Sequence, residues 1–441
     1  MNVLMINKFY FLKGGTERYY FNLSKLLEEK GHKVIPFAMK SQRNFSSEFE
    51  RYFVSEVVTR PSWNLWQDLK TVGRFFWSWE AQRKIKKLIK EVGPIDVAHI
   101  HNIYHQISPS ILSVLKKQGI PIVMTVHDYK LISPNYNLYL RGKIYDKICG
   151  NNFARCVPDR CVGNSFFKSI ICSLEMWFHH RVLNIYKKNI DLFLAPSKFV
   201  TEKLIAAGYD KNKIRVIPHF VESSYLCHPR ESEDPGYPLL NKEGRGEVNS
   251  PIGASGFRLT GRNDKHGNHE KYFLYFGRVS AEKGINILIE TAKEIPDAKF
   301  KIAGEGPEFK NYVLRIMNYG LKNIELLGYK NFDELQNLIQ SAYLIIVPSL
   351  TPETFGFSAL EAMALGKCVV ASEVGALPEL VDHNFLFTAG NVFELVELIK
   401  KLTNDINAVI ENGEENRKKV EQLYDRESHY TKILGMYGGL K

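Results

Sequence analysis

Two glutamates in the stretch VPSLTPETFGFSALEAMALGKCVVAS carry the first chemical question: Glu353 and Glu361, with seven residues between them. Glu353 falls in a Pro-, Thr- and Gly-rich segment that reads as a loop, beside Phe355 and Gly356; Glu361 falls in an Ala/Leu/Met segment that reads as a helix beginning near Ser358. The apolar run Leu344–Val347 before them reads as a strand ending at Pro348. The loop therefore faces the crevice at the carboxyl end of a parallel strand, where open α/β sheets bind ligands. A helical side chain leans towards its helix N-terminus, so Glu361 can accept two hydrogen bonds from a vicinal diol such as a ribose. Glu353 can do the same for a sugar hydroxyl. Taken singly, a carboxylate complementing a helix dipole and an ordinary turn residue explain the pair as well.

A second constellation lies in FLYFGRVSAEKGINILIETAKEI. A buried strand ends at Gly277, Arg278 and Lys283 stand in the following loop, and a helix opens near Gly284. Two cations beside a helix N-terminus suit a phosphate, Arg as a bidentate fork and Lys as a point charge; a solvated basic loop is the plain alternative. A third lies in NKFYFLKGGTERYYFNLSKLLEEKGHKV, where Gly14-Gly15 make a turn between strand and helix, Thr16 can cap the helix, and Gly31 stops it. Such a unit aims backbone N–H groups at an anion, although a Gly-Gly pair is also simply a tight turn.

The elements that must position these groups are legible as short β-branched runs alternating with helix-period segments. Strands are expected at Val3–Ile6, Val34–Phe37, Val97–Ile100, Ile122–Val126, Leu192–Ala195 and Ile214–Ile217, then at Tyr272–Phe276, Phe300–Ala303, Ile324–Leu327, Leu344–Val347 and Cys368–Ala371. Most are continuous apolar runs, the mark of strands covered on both faces. A chain of 441 residues is too long for one core. The fold class is therefore α/β, two Rossmann-like doubly wound parallel-sheet domains facing across a cleft. The divisions expected are 1–222, a linker with a disordered insertion at 223–270, 271–423, and a C-terminal helix and tail at 424–441 that packs back on the first domain. The insertion is rich in Gly, Pro, Asn, Ser and charge without periodicity.

With 44% apolar and 24% charged residues the chain is of ordinary globular composition, and no apolar run reaches the roughly 18 residues a bilayer span needs. MNVLMINKFY reads as a first strand and not a leader, which points to the cytoplasm and to reduced cysteines. The net charge of +11 suits a phosphorylated ligand or an anionic surface. No nucleic-acid module is recognisable, and nucleic acid is not expected as a partner. Between 60 and 90, eight Lys/Arg stand against two Asp/Glu, with Trp63, Trp66, Trp77 and Trp79 in the same tract. This tract reads either as a peripheral contact with an anionic membrane on the inner face of the plasma membrane, or as helices packing aromatics into the first core.

Taken together, KGGTERYYFNLSKLLEEKGHKV, TVHD at Thr125–Asp128, GRVSAEKG, AGEGPE, LLGY and PETFGFSALEAMALGKCVVASEVGALPELV resemble glycosyltransferase family 4, the retaining enzymes of GT-B architecture, of the bacterial surface-polysaccharide type. The resemblance covers most of the chain outside the insertion. It implies that Arg278 and Lys283 neutralise the diphosphate of a nucleotide-sugar donor and that Glu361 holds the ribose. It implies also that Glu353 holds the transferred sugar, with Gly277, Phe355 and the backbone N–H groups of Gly356, Phe357 and Ser358 beside sugar and phosphate. Gly14-Gly15 would close over the diphosphate from the first domain, His127 would approach the donor sugar from the opposite side, and LLGY at Leu326–Tyr329 would contact the base. The expected acceptor is a glycan or lipid-linked glycan in polysaccharide biosynthesis. No D-x-D stands in the donor motifs, so no catalytic metal and no cofactor are expected. The alternatives are another GT-B enzyme such as a nucleotide-sugar epimerase, or an inactive nucleotide-sugar-binding module. Such a module is expected to have lost one of Arg278, Lys283, Glu353 and Glu361, and all four are present.

Two departures from the family pattern, VIPHF at Val216–Phe220 and VDHNFLFTAGN, lie outside the donor motifs; they bear on a finer subfamily assignment and not on the assignment of the donor site. Cys149, Cys156 and Cys161 form a C-x6-C-x4-C run, a poor zinc spacing. Relatives carry a cysteine-rich insertion here, with Tyr145 standing where a ligand is missing, and Cys172 or His179 could complete a site. Plain reduced thiols are the favoured expectation over a structural zinc.

Overall fold

The structure is a computed structural model that describes residues 1–57, 65–147, 150, 152–222 and 271–440, the side chains of 65–70 excepted. The insertion at 223–270 and Cys149 lie outside the described residues. Two six-stranded parallel sheets organise the chain. The first is built from β1 (Asn2–Ile6), β2 (Lys33–Phe37), β3 (Val97–Ile100), β4 (Ile122–Thr125), β7 (Leu192–Ala195) and β8 (Ile214–Val216), in the order β2-β1-β3-β4-β7-β8. The second uses β9 (Tyr272–Phe276), β10 (Lys299–Ala303), β11 (Ile324–Gly328), β12 (Leu344–Val347), β13 (Val369–Ser372) and β14 (Leu386–Phe387), in the order β11-β10-β9-β12-β13-β14.

Every strand expected from the apolar runs is present. Missing from that expectation are β14 and a hairpin, β5 (Tyr139–Leu140) and β6 (Lys143–Ile144), each strand only two residues long. So short a run carries no periodicity to read.

The continuous apolar character of the strands follows from burial on both faces. Along β1, Leu4 and Ile6 enter one core while Val3 and Met5 enter the other. Along β9, Leu274 and Phe276 alternate with Phe273 and Tyr275 in the same way. In both sheets the strand order reverses next to the domain's first strand, between β1 and β3 and between β9 and β12. Loops leaving those strands diverge to opposite faces, which opens a crevice at each switch point.

The C-terminal helix Arg426–Gly438 lies against the first domain. Its Ile433 and Tyr437 join the core beside β1, Tyr437 Oη lies 2.6 Å from His99 Nδ1, and His429 Nε2 lies 3.0 Å from Tyr19 Oη. Within the basic tract, Ser78 caps the helix Trp79–Val92 by accepting from Ala81 N at 3.2 Å, a contribution of about 1 kcal/mol. That helix buries Ile85 and Leu88 and leaves Trp79 75% exposed. Trp63 and the Trp66 side chain lie outside the described residues.

The thiol expectation needs correction. Cys156 and Cys161 are joined as a disulfide, with Cα atoms 5.0 Å apart. The helical turn Cys156–Asp159 ends on Arg160 in the left-handed region, and Cys161 N then donates to Cys156 O at 3.0 Å. This reversal closes the pair. Tyr145 packs on it and donates to Asp159. Sulfurs bonded to each other are not thiolate ligands, so the run does not fit the zinc site considered for Cys149, Cys156 and Cys161.

Candidate active site

The site is assembled from loops at the two switch points. After β9 the chain passes Gly277 and Arg278 into a short 3-10 turn, Ala281–Lys283, and then into the helix Ile285–Glu294. Gly284 at that junction has φ +74°, and a Cβ there would lie 1.8 Å from the carbonyl oxygen of Pro348. Only glycine lets the Lys283 turn rest on the loop that follows β12. AGEGPE, after β10, props the same turn from behind, with Val279 N donating to Glu305 O at 2.9 Å.

After β12 the loop carries Ser349, Glu353 and Phe355 to the helix Phe357–Ala364, capped by Gly356. Lys283 Nζ lies 2.6 Å from Glu353 Oε1, and Ser349 Oγ donates to the same oxygen at 2.5 Å. The expected phosphate cation and the expected sugar carboxylate are thus hydrogen-bonded neighbours. Glu361 is buried, one turn into the helix, and accepts from Arg18. Arg18 lies one turn into the helix Gly15–Glu29 of the other domain. The two helix N-termini therefore face each other across the cleft. Gly15 makes that approach possible, because a Cβ on it would meet the Phe357 ring at 2.9 Å. Gly14 is extended and has no comparable restriction. It holds the cap position expected of Thr16, which lies within the helix because the helix starts at Gly15.

Further contacts knit the loops. Thr354 Oγ1 donates to His127 O at 3.2 Å, Ser197 Oγ donates to Thr354 O at 2.9 Å, and Glu379 accepts from Lys198 N and Phe199 N. Arg278 is exposed on the cleft side, close enough to Lys13 to act on its charge. Burial first, then Lys8, and further Arg278 and Arg43, push the Lys13 ammonium below the usual lysine range, partly opposed by Glu17. Both domains therefore bring positive charge to the place where Arg278 stands.

Beside this charged end lies an uncharged one. His99, His101, His127 and His219 form a continuous stack, with successive centroids 4.6, 5.1 and 5.3 Å apart, and His219 continues onto the Phe357 ring at 4.9 Å and 8°. His101 Nδ1 lies 2.9 Å from His127 Nε2, and Thr125 Oγ1 lies 2.7 Å from His99 Nε2. Burial, reinforced for His99 by His127 and for His127 by Lys8, lowers both to about 3. Burial holds His101 and His219 well below the usual range too. At neutral pH all four are uncharged. Only His127 of the four is part-exposed, so it alone can present a neutral imidazole to the cleft, while His99, His101 and His219 are closed off behind it.

Arg278, Lys283, Glu353, Glu361, Gly15 and His127 lie around one cleft. Leu326–Tyr329 ends β11, at the far side of β10, with Tyr329 exposed. Arg18, Lys13 and His219 escaped notice. VIPHF, outside the donor motifs in sequence, nevertheless reaches the site: His219 lies against Phe357, Phe355, His127 and Tyr19. Its chain position, after the last strand of the first sheet, gave no sign of this.

Residues 13–225 match the family profile described as Glycosyltransferase Family 4, and residues 261–425 match that of Glycosyl transferases group 1. The chain belongs to glycosyltransferase family 4. It is 26% identical over 395 residues to an uncharacterised 42.6 kDa protein in the cps region of Klebsiella pneumoniae, covering 86% of this chain and 87% of that one. It is 37% identical over 152 residues to an uncharacterised glycosyltransferase of Methanocaldococcus jannaschii, covering 33% of this chain and 43% of that one. It is 30% identical over 158 residues to the lipopolysaccharide 1,2-N-acetylglucosaminetransferase of Salmonella typhimurium, covering 33% of this chain and 40% of that one. The chain thus spans less than half the length of the last two relatives. Among solved structures, HepE of Anabaena in complex with UDP and glucose superposes with a TM-score of 0.63 at 17% identity, over 100% of both chains. The sucrose-phosphate synthase of Thermosynechococcus elongatus superposes with 0.67 at 16%, over 100% of this chain and 98% of that one. These likenesses establish the GT-B fold of this family 4 chain.

Proposed function

We propose that this family 4 protein transfers a sugar from a UDP-sugar to a hydroxyl of a glycan or lipid-linked glycan, with retention of anomeric configuration. The observation that carries the reading is the meeting of the two switch points. Lys283, Glu353 and Glu361 of one domain and Arg18 and His127 of the other converge on one cleft. UDP as the nucleotide is supported by HepE, solved with UDP and glucose, and a glycan acceptor by the Salmonella lipopolysaccharide transferase.

Arg278, Lys283 and the backbone N–H groups of two helix N-termini hold the diphosphate and receive its growing charge, and these protein cations stand in for a divalent metal. Glu361 takes the ribose diol, exchanging Arg18 for it. Glu353 takes hydroxyls of the transferred sugar, its Oε1 positioned by Lys283 and Ser349. Neutral His127 hydrogen-bonds the sugar from the other wall. The bond from the anomeric carbon to the diphosphate oxygen breaks, and the acceptor oxygen bonds the same face of that carbon. The acceptor proton passes to the departing phosphate. Glu353 is not required as a nucleophile, so azide should leave a Glu353→Ala variant inactive.

The test is incubation with a panel of UDP-, GDP- and dTDP-sugars. A rise in melting temperature with UDP-sugars, and an NMR spectrum of the product showing the donor's anomeric configuration, support the proposal. No shift with any of them, or inversion, overturns it.

A further inference from the structure

The helix Phe166–Trp177 and the turn after it present an apolar face to solvent. Phe167 is 76% exposed, Trp177 53%, Leu174 51%, Val182 49% and Phe166 46%. Phe167, Leu174 and Trp177 recur at helical spacing, with Ile170 and Ile171 half-buried between them and half-buried Phe178 following Trp177, so they form one continuous stripe. Phe178 meets Phe76 at 5.8 Å, which extends the stripe to the end of the helix Leu65–Phe76. A stripe of this size left in water marks an interaction surface.

Its charge says what covers it. From Arg160 to Lys188 the chain carries five Lys/Arg (Arg160, Lys168, Arg181, Lys187, Lys188) and one acid, Glu175, which is buried. Lys168 and Arg181 flank the stripe and are themselves exposed. We infer that this face docks on an anionic lipid bilayer, lying in the interface with Phe167, Leu174 and Trp177 among the acyl chains and the cations at the headgroups. A second copy of the chain fits less well, because a two-fold contact would need acids on this face to meet Lys168 and Arg181, and the one acid between Arg160 and Lys188, Glu175, is buried. No helix among the described residues is long and apolar enough to cross a membrane, so the surface lies on the bilayer.

The inner face of the same helix leads to the cleft. Glu175 accepts from Lys130 at 2.7 Å and lies 3.0 Å from His105 Nε2. Lys130 lies three residues after His127, and His105 lies in the short helix that follows β3. The bilayer surface is therefore one helix away from the wall that carries His127. Resting on the proposed function, this favours the lipid-linked form of the acceptor, whose lipid stays in the membrane while its glycan reaches the cleft.

The test is co-sedimentation of the full chain with vesicles of phosphatidylglycerol and phosphatidylcholine, and with phosphatidylcholine alone, for the native chain and for the triple variant Phe167→Ser, Leu174→Ser, Trp177→Ser. The native chain should bind the anionic vesicles at least about tenfold more strongly than the neutral ones. The variant should lose on the order of a hundredfold in partitioning, since three exposed apolar side chains no longer enter the bilayer. Its UDP-induced thermal shift should be unchanged, which shows that it is folded and keeps this outcome separate from failure of the transfer reading. Absence of native binding to anionic vesicles, or equal binding by the variant, overturns the inference. So does a native dimer in sedimentation velocity that the variant breaks into monomers.

Discussion

The two walls of the cleft solve different physical problems. The second domain's wall is ionic: Lys283, Glu353 and Glu361 lie in or just after loops, held by charge-assisted hydrogen bonds, with Arg278 open to solvent. The first domain's wall is neutral: a run of imidazoles stacked from His99 to His219, of which His127 is part-exposed and the other three are buried. A diphosphate leaving group needs charge aimed at it, whereas a sugar turning over beside it needs hydrogen bonds that leave the field undisturbed. The difference lies in solvation as much as in residue type. His127 carries a group that is cationic in acid, yet burial keeps it uncharged down to about pH 3.

This contrast can be broken most forcefully on the ionic side. Lys283→Ala and Arg278→Ala should each lower kcat by about a hundred- to a thousandfold, as expected for removal of a preorganised group facing developing charge. Steady-state rates with a UDP-sugar check this. On the neutral side, His127→Ala should cost less, about ten- to a hundredfold, and the native rate should show no inflection from His127 between about pH 5 and 8. An inflection near pH 6.5 that disappears in the variant contradicts a neutral wall.

A stability profile sharpens the comparison further. His99, His127 and His429 have folded values of about 3 against an ordinary value of 6.5, chiefly through burial. Above pH 6.5 they are neutral in both folded and unfolded chains. Below it the unfolded chain takes up protons first, so their effect is a loss of stability as pH falls from about 6.5 towards 3. Each contributes a slope of up to about 1.4 kcal/mol per pH unit. Melting temperatures from pH 8 to pH 5 should fall accordingly, and a flat profile contradicts burial of the stack. The smallest effect is expected for His219→Asn, which removes the ring between His127 and Phe357. It should cost about 1 kcal/mol of stability, read from denaturant unfolding, and leave UDP binding intact.

The walls also differed in how far they could be read from sequence. The ionic wall was legible because its chemistry sits in contiguous motifs, Gly277–Gly284 and Pro352–Glu361, whose strand-loop-helix pattern fixes their place at a sheet edge. The neutral wall was not, because its histidines come from β3 itself and from the segments after β3, β4 and β8, and meet only through the strand order. Arg18 and Glu361 are 343 residues apart, and their pairing depends on how the domains face each other. The exposed face of Phe166–Trp177 was hidden for another reason. Helical spacing of apolar residues predicts a face, but not whether protein covers it.

The most direct measurement is a calorimetric titration of UDP into the native chain and the variants Glu361→Ala and Glu353→Gln. With Glu361 on the ribose and Glu353 on the transferred sugar, Glu361→Ala should weaken UDP about tenfold or more, as expected for loss of hydrogen bonds to a carboxylate, while Glu353→Gln should stay within about twofold. Equal weakening in both variants, or no UDP binding by the native chain, would contradict it.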